Sequence, residues 1–247
     1  LKRLRAIIGP STYKAQEGTN TRGANGVFWC EIKEASQGKT LIQNLGKEGK
    51  KKYKEILGEV ESDLIYPLLR GEDISKWSAR PRCYIIVPHD PLTGRIYPEA
   101  HLKLHYPATF RFLSSFKNEL IARKLYGKNI KDRFPFYILF QVNKDTFSRY
   151  KVVWREVATD FNASVVGPVE DLRIGSKVVV PAHTVVFIPL QSEEEAHYLC
   201  AMLNSSLVRL IVRSYLHLHP SPHVMNYVKI PLYDPRNELH RQLVTLS

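Results

Sequence analysis

Residues 17–29 constrain the fold more than any other segment, and they read Glu17-Gly18-Thr19-Asn20-Thr21-Arg22-Gly23-Ala24-Asn25-Gly26-Val27-Phe28-Trp29. Three glycines and two asparagines lie within nine of these residues. Such a composition suits neither a regular helix nor a strand, and it predicts a tight loop with positions at positive φ. The apolar residues that follow predict a strand over 27–33. The segment is therefore a short polar loop that leads into a strand.

Segments along the rest of the chain predict both strands and helices. Strands are predicted where Val, Ile and aromatic residues dominate, at 83–88, 135–142, 151–155, 163–166, 177–180, 185–190 and 228–232. Helices are predicted at 106–124, at 193–203 behind a capping box of Ser192 and Glu195, at 207–215 and at 235–246. The basic segment 46–54 predicts an exposed turn that leads into a short helix. This order predicts a single domain over residues 1–247 of the α/β (mixed α+β) class, a mixed β-sheet with flanking helices.

The composition indicates a folded protein with an anionic partner. The chain has 247 residues, 44% of them hydrophobic and 24% charged, which excludes disorder as its main state. Its 36 Lys and Arg against 24 Asp and Glu give a formal net charge of +12. An excess of this size favours a polyanion as the partner over an acidic protein or a membrane surface.

Cysteine usage and the N-terminus predict where the protein works. Cys30, Cys83 and Cys200 are far apart, which argues against a disulfide scaffold and against a zinc site of the CxxC type. Neither a signal peptide nor an apolar segment long enough to span a membrane is present in the sequence. We therefore expect a cytoplasmic protein. Because the sequence begins at Leu1 without an initiator Met, we also expect a piece of a longer chain.

The glycine-rich segments match no cofactor-binding motif. Gly46-Lys47-Glu48-Gly49-Lys50-Lys51 has the content of a Walker A loop but neither its spacing nor its Ser or Thr. A nucleotide or S-adenosylmethionine site needs a strand, a glycine-rich turn and then a helix, whereas the loop at 18–26 precedes a strand. No G-x-S-x-G or HExxH motif occurs. No cofactor is therefore expected in this chain.

An alternative function is a standalone metal-dependent nuclease that uses Glu31 and Lys33. The Glu-Ile-Lys sequence ends an apolar strand, as the Glu-x-Lys half of such a site would. The chemistry needs a second carboxylate to share the metal ion, and upstream only Glu17 is available. A solvated strand end is the favoured interpretation of these residues.

A histidine-rich segment is a second candidate for metal chemistry. His217, His219 and His223 fall within seven residues, and three imidazoles could bind zinc or another transition metal. No Cys, Asp or Glu nearby completes the coordination sphere, and two prolines interrupt the segment. A polar loop is favoured, and no metal site is expected.

Basic residues alternate with aromatic ones in several predicted loops. Such segments are Lys76-Trp77-Ser78-Ala79-Arg80-Pro81-Arg82, residues 123–134 and Arg149-Tyr150-Lys151. Lys and Arg neutralise phosphates, while amides and guanidinium groups read base edges. The polar side chains of residues 19–25 suit DNA contact too, although Asn and Gly could serve only the turn. The lysine run at 46–54 is more simply explained as a solvated basic face.

Six segments, in order, resemble the TaqI-like C-terminal specificity domains of adenine-N6 DNA methyltransferases and fused type II restriction–modification enzymes. Residues 17–29 resemble the family's G-x-x-T-G-x-N-x-x-F opening, with Arg22 inserted between Thr21 and Gly23. Residues 64–74, Leu-Ile-Tyr-Pro-Leu-Leu-Arg-Gly-Glu-Asp-Ile, are similar to its hydrophobic-Pro-x-hydrophobic-Arg-Gly-x-Asp-Ile segment. Later landmarks are 106–120 with Arg123, then 150–155, 203–206 and 228–232.

The resemblance implies a target-recognition domain that reads double-stranded DNA and is not an enzyme by itself. The parent's catalytic domain would lie N-terminal to it, bind S-adenosylmethionine and methylate a flipped-out adenine. This chain has no Asn-Pro-Pro-Tyr motif, so no catalytic residue is carried over. Asp73 and Pro67 are interpreted as structural. The expected DNA contacts are Thr19, Asn20, Thr21, Arg22, Asn25, Arg70, Lys76, Trp77, Arg80, Arg82, Lys128, Lys131, Arg133, Lys151 and Arg155.

Overall fold

The structure, a computed structural model, describes residues 7–36, 38–125, 128, 129, 133–215 and 220–247. Its strands are β1 (Gln16–Glu17), β2 (Trp29–Ser36), β3 (Lys39–Asn44), β4 (Leu57–Glu61), β5 (Ile65–Leu69), β6 (Ile74–Ser75), β7 (Ser78–Ala79), β8 (Cys83–Ile86), β9 (Lys124–Leu125), β10 (Lys128–Asn129), β11 (Tyr150–Arg155), β12 (Ala163–Val166), β13 (Val169–Asp171), β14 (Gly175–Lys177), β15 (Val180–Pro181) and β16 (Val185–Leu190). Its helices are α1 (Asn25–Phe28), α2 (Glu99–His105), α3 (Pro107–Ser114), α4 (Lys117–Ile121), α5 (Glu193–Leu203), α6 (Ser206–Tyr215) and α7 (Glu238–Thr245). The predicted mixture of sheet and helices is confirmed.

Two larger sheets organise the described residues. The first has six strands in the order β15-β5-β8-β2-β3-β4, antiparallel except for the parallel pair β15 and β5. The second has four antiparallel strands in the order β1-β16-β11-β12. The pairs β6-β7, β9-β10 and β13-β14 form short two-stranded ribbons. β15 pairs in parallel with β5 at the edge of the first sheet. The chain then continues from β15 into β16 of the second sheet, so this pairing connects the two sheets.

Each sheet has its own hydrophobic core, and a third cluster joins the two. Phe28, Ile65 and Ile85 of the first sheet region pack with α2, α3 and α4 through residues such as Leu102, Phe112 and Leu120. The second sheet packs Val152 and Trp154 against Leu199 and Ile211 of α5 and α6. Leu69, Val153, Val185 and Phe187 form the joining cluster. Burial of these apolar side chains is the main favourable term that holds the sheets together.

The predicted helix over 106–124 is wrong in its continuity, because two helices, α3 and α4, occupy this segment. The break falls at Ser115 and Phe116. The Ser115 hydroxyl donates to the Arg111 oxygen at 3.3 Å, and such back-bonding competes with a continuous helix. Phe116 then packs into the first core beside Phe112, at a ring-centroid distance of 5.8 Å. Both aromatic rings lie in the first core, on the two sides of the break.

Several further predictions differ from the structure. The predicted strand 27–33 begins only at Trp29, after α1, and residues 177–180 divide between the end of β14 and the start of β15. Residues 135–142 form no strand beyond a single bridge between Asn20 and Phe140, since the Ile138 amide donates to the Pro135 oxygen at 3.1 Å and the backbone turns there. Residues 46–54 form a loop without a helix. Residues 228–232 contribute only the bridge between Ile8 and Val228, because Pro231 cannot donate to a ladder. Strands 151–155, 163–166 and 185–190 and the capped helix after Ser192 are confirmed.

No helix within the described ranges is long and apolar enough to cross a membrane.

Candidate nucleic-acid interface

The polar loop, residues 19–25, is fixed from both sides by main-chain contacts. The Thr19 amide donates to the Pro181 oxygen at 2.7 Å, next to a parallel bridge between Thr19 and Ala182. Asn20 exchanges two main-chain hydrogen bonds of 2.9 Å with Phe140. The loop is thus anchored to the edge of the first sheet and to the segment that precedes β11. Contacts within the chain therefore define its conformation.

A buried arginine supports the polar loop from below. Arg123 follows α4, and its guanidinium donates to the main-chain oxygens of Thr21 and Ile138, at 2.9 Å each, and of Phe136, at 2.5 Å. The group lies 5.4 Å from the centre of the Phe28 ring. Burial lowers the pKa of Arg123 to about 10, so the group remains cationic at neutral pH. The family resemblance includes Arg123 but implies no such role for it.

Only some side chains of the polar loop face the outside. Thr19 and Thr21 are 1% exposed, and the Thr21 hydroxyl donates to the Asn25 side-chain oxygen at 2.5 Å. Asn20, Arg22 and Asn25 are partly exposed. Arg22 has a left-handed φ of 53°, and its guanidinium lies over the Phe140 ring at 5.5 Å. The two threonines therefore shape the loop, and its outward surface belongs to Asn20, Arg22 and Asn25.

Asp73 organises the arginines that follow β5. Arg70 donates to its carboxylate from the main-chain amide at 2.9 Å and from Nε at 3.1 Å. Nη1 of Arg70 lies 2.7 Å from Glu72 and 3.9 Å from Glu48. Arg82 approaches Asp73 at 3.6 Å but is 72% exposed along its side chain. Asp73 is thus structural, as expected, and it holds Arg70 in place while Arg82 remains open to a partner.

The hairpin of β6 and β7 places an aromatic side chain on the surface. Its turn consists of Lys76 and Trp77, and Trp77 is 43% exposed at a left-handed φ of 66°. For a bulky residue this conformation is rare and costs on the order of 1–2 kcal/mol. The Lys76 ammonium lies 5.4 Å from the centre of the indole ring. A strained, exposed cation–aromatic pair at a hairpin tip is typical of a contact surface.

Two adjoining cavities meet at Arg155, the last residue of β11. Arg155 donates from Nε and Nη2 to the Ile74 oxygen at 2.9 and 2.6 Å, which ties the second sheet to the β6 segment. The main cavity, of about 400 Å³, is lined by Asn25, Trp29, Glu48, Gly49, Arg70, Gly71, Glu72, Arg155, Val157 and Thr184. The smaller one, of about 260 Å³, includes Lys76, Arg155 and Asp160. Residues from three distant candidate segments, Asn25, Arg70 and Arg155, therefore line the main cavity.

Several predicted contacts lie elsewhere. Arg80 and Arg133 are exposed on the surface and line neither cavity. Lys131 lies outside the described residues, as does the side chain of Lys128. Lys151 is 1% exposed, and its ammonium donates to the Ser148 oxygen at 2.6 Å. Because desolvation lowers the pKa of Lys151 to about 7, this lysine is a core group that a docked duplex cannot reach.

The alternative nuclease site is incomplete among the described residues. Glu31 and Lys33 lie on the same face of β2 and pair with each other at 2.9 Å. Glu31 borders a pocket of about 300 Å³ that also contains Arg82 and Arg173, whose charges disfavour a metal cation there. No group of three His, Cys, Asp or Glu in the described ranges could hold a metal ion. His217 and His219 lie outside those ranges, and the His223 ring contacts Asn226 at 3.3 Å.

Sequence reasoning missed Val157 and Thr184, which complete the main cavity. Val157 is 59% exposed and follows β11, while the Thr184 hydroxyl accepts a hydrogen bond from the Gly71 amide at 2.9 Å. Neither belongs to a motif or to a basic segment, so no signal in the sequence marks it. Their proximity to Arg70 arises only from the meeting of the two sheets.

Comparison with known proteins relates the chain to a methyltransferase. No family model matches it. Over 153 residues it is 27% identical to the type II methyltransferase M.NspV of Nostoc sp., a stretch that covers 61% of this chain and 29% of that protein. The matched stretch thus spans less than a third of this curated relative's length. The chain is similar to part of a type II methyltransferase, which indicates a protein related to restriction–modification systems.

Proposed function

We propose that this chain is the target-recognition domain of an adenine-N6 DNA methyltransferase or of a fused restriction–modification enzyme, with residues 1–247 as one domain. The observation that carries the proposal is the main cavity, where Asn25, Arg70 and Arg155 meet although they lie far apart in the sequence. The net charge of +12 and the similarity to a type II methyltransferase agree with a partner that is double-stranded DNA.

The chemistry of the cavity suits base edges better than phosphates. The Asn25 amide and the Arg155 guanidinium can donate to guanine and adenine, while the carboxylates of Glu48 and Glu72, which lie against Arg70, can accept from the cytosine amino group. Carboxylates repel phosphates, so a site for backbone contacts alone would not include them. Val157 offers an apolar contact for a thymine methyl group. In the proposal, the exposed Lys76 and Arg82 contact phosphates near the cavity, and the exposed Arg133 contacts a phosphate elsewhere on the duplex.

Catalysis is assigned to the parent protein rather than to this chain. In the proposal, a methyltransferase domain outside these residues binds S-adenosylmethionine and modifies the adenine. The similarity to M.NspV supports this division, because it covers only 29% of that protein. The domain would then act by placing the catalytic partner at one DNA sequence.

Selection from a pool of random DNA duplexes tests the proposal. The chain should enrich one sequence, and anisotropy titrations should show tighter binding to it than to unrelated duplex. We expect Asn25→Ala and Glu72→Ala each to reduce that preference by roughly 5- to 150-fold at one or two base pairs. Arg133→Gln, the matched control, should weaken all duplexes about equally because it alters a phosphate contact.

Two results would overturn the proposal. The first is a wild-type chain that binds every duplex with the same affinity. The second is cleavage of plasmid DNA in magnesium or manganese that disappears in Glu31→Ala, which would establish the nuclease instead.

A further inference from the structure

The lysine loop, residues 46–54, contains five exposed lysines: Lys47, Lys50, Lys51, Lys52 and Lys54. The sequence favours a solvated face for them. In the part of the chain that the structure describes, none of the five forms an ion pair. So many like charges in one short loop repel one another, and the carboxylate of Glu48 in the same loop lies 3.9 Å from Arg70 and forms no ion pair with a lysine among the described residues.

The lysine loop has a defined conformation. The Lys52 ammonium donates to the main-chain oxygens of Lys47 and Gly49, at 2.5 and 3.1 Å. The Tyr53 amide donates to the Gly46 oxygen at 2.9 Å, and the Asn44 side chain donates to the Lys54 oxygen at 2.9 Å. Lys52 therefore stabilises the loop from within. The other lysines project from an ordered backbone.

The lysine loop packs directly on the polar loop. The Tyr53 hydroxyl donates to the Gly23 oxygen at 3.0 Å. Gly49 lies so near Asn25 that an added Cβ would sit 3.3 Å from the Asn25 side chain. An added Cβ on Gly26 would meet the Gly46 oxygen at 2.9 Å. The two loops form one continuous surface. Their close packing leaves little room for a side chain at Gly26 or Gly49.

This packing places the lysines at the rim of the main cavity. Glu48 and Gly49 form part of its wall, and Lys47 and Lys50 are their direct neighbours in the chain. Consecutive Cα atoms are about 3.8 Å apart, so both lysines start within one residue of the cavity mouth. Lys51 lies over the Tyr53 ring at 5.2 Å, which leaves Lys47, Lys50 and Lys54 as the side chains most open to a partner.

We propose that Lys47, Lys50 and Lys54 bind the DNA phosphates that flank the base pair read in the main cavity. An ammonium group is a flexible point charge that attracts phosphate without selecting a base. Duplex DNA carries one phosphate charge per about 1.7 Å of its axis, so several phosphates lie within reach of one short loop. The inference rests on the proposed function, because the read base pair defines which phosphates are meant.

Salt titrations of DNA binding test this inference on the whole chain. We expect the triple variant Lys47→Gln, Lys50→Gln, Lys54→Gln to lose roughly two to three units of the slope of log K against log salt, since each phosphate contact contributes about 0.9. The preference for the selected sequence over unrelated duplex should remain within about twofold, since phosphate contacts carry no sequence information. The matched control is Lys117→Gln, Lys144→Gln, Lys229→Gln. These three lysines are exposed and line neither cavity. The slope of this control should equal that of the wild type.

A change on the DNA side gives a second measurement that needs no protein variant. Neutral methylphosphonates at the phosphates flanking the selected base pair should lower the wild-type slope and leave the slope of the loop variant unchanged. If the triple lysine variant still binds DNA and its slope of log K against log salt equals that of the wild type, the inference is overturned but the proposed function is left intact. Equal binding of all sequences by the wild type overturns the proposed function instead.

Discussion

The Nη1 atom of Arg123 donates a hydrogen bond to the main-chain oxygen of Thr21 at 2.9 Å. The two residues are far apart in the sequence, and the bond ties the end of α4 to the underside of the polar loop. Arg123 is 4% exposed and forms no ion pair within the described ranges, so main-chain oxygens and the Phe28 ring satisfy its charge. The conformation of the loop thus depends on a cation inside the first core.

We expect Arg123→Met to lower the free energy of unfolding by about 3 kcal/mol or more. The substitution keeps apolar volume but removes the guanidinium donor from the buried oxygens of Phe136 and Ile138, and it leaves the Thr21 oxygen with only the Ala24 amide at 3.4 Å. Urea denaturation followed by fluorescence measures the change. Arg133→Met, at an exposed position, should stay within about 0.5 kcal/mol of the wild type. Equal stability of Arg123→Met and the wild type would refute the role given to Arg123.

The Gly18→Ala variant should lose more stability than the Gly175→Ala variant and unfold at a lower urea concentration. A Cβ on Gly18 would lie 2.3 Å from the Ala182 oxygen and 2.5 Å from the Pro181 oxygen, and main-chain atoms cannot yield easily. Gly175, the exposed first residue of β14, has φ +76° and nothing within 4 Å of an added Cβ, so its substitution costs only about 1 kcal/mol of backbone strain. Urea midpoints of the two variants give the comparison. A smaller loss of stability for Gly18→Ala than for Gly175→Ala would show that the bridge between Thr19 and Ala182 can shift to admit the methyl group.

The elements that the sequence predicts correctly are those with a local cause. The Ser192 hydroxyl accepts from the Glu195 amide at 3.3 Å and starts α5 at the predicted residue, while the Glu195 carboxylate accepts from the Tyr13 hydroxyl at 3.0 Å. Strand 151–155 has three consecutive apolar residues, 152–154, in a central position of the second sheet. Residues 136–139 are equally apolar, yet they fill the space around Arg123 and form no strand. Tertiary packing overrides strand propensity there.

The candidate site was predictable in its residue types but not in its geometry. Basic–aromatic composition selects Trp77 and Arg82, which are exposed, and their contact with DNA stays a prediction. The same composition selects Lys151, although the alternation of β11 places it on the face of the buried Val153, where it is 1% exposed. The sequence favours a solvated lysine loop, because the contacts of that loop with Gly23 and Asn25 arise only in three dimensions. The charge of a segment can be read from the sequence, whereas the residues with which it forms a common surface cannot.

Trp77 should report DNA binding through its fluorescence. Of the three tryptophans, Trp77 is 43% exposed, whereas Trp29 and Trp154 are 6% and 0% exposed. Acrylamide should therefore quench Trp77 selectively, and bound duplex should protect it because bases or sugars cover the ring. The DNA-dependent protection should vanish in Trp77→Phe, while binding of the duplex persists. Unchanged quenching of the wild type in the presence of saturating DNA would remove the hairpin from the interface.

Lys151 should make the stability of the chain rise with pH above neutrality. Burial lowers the pKa of Lys151 to about 7, against an ordinary value of 10.5 in the unfolded chain. Between these values the unfolded chain binds a proton that the folded chain does not, so folding becomes more favourable as pH rises, by about 1.4 kcal/mol per pH unit for this group. Below about pH 7 both states hold the proton, and the cost of the buried charge is constant.

Lys151→Met isolates this contribution, because all other titrating groups are shared with the wild type. Methionine fills a similar volume without a charge to desolvate, so the variant should be more stable than the wild type at pH 7. Its advantage should shrink by about 1.4 kcal/mol per unit between pH 7.5 and 9, as the wild type sheds the proton on folding. Urea denaturation of both proteins across this range provides the two curves. Parallel curves would mean that Lys151 keeps an ordinary pKa in the folded chain. In that case water must reach its ammonium group, for example through movement of β11.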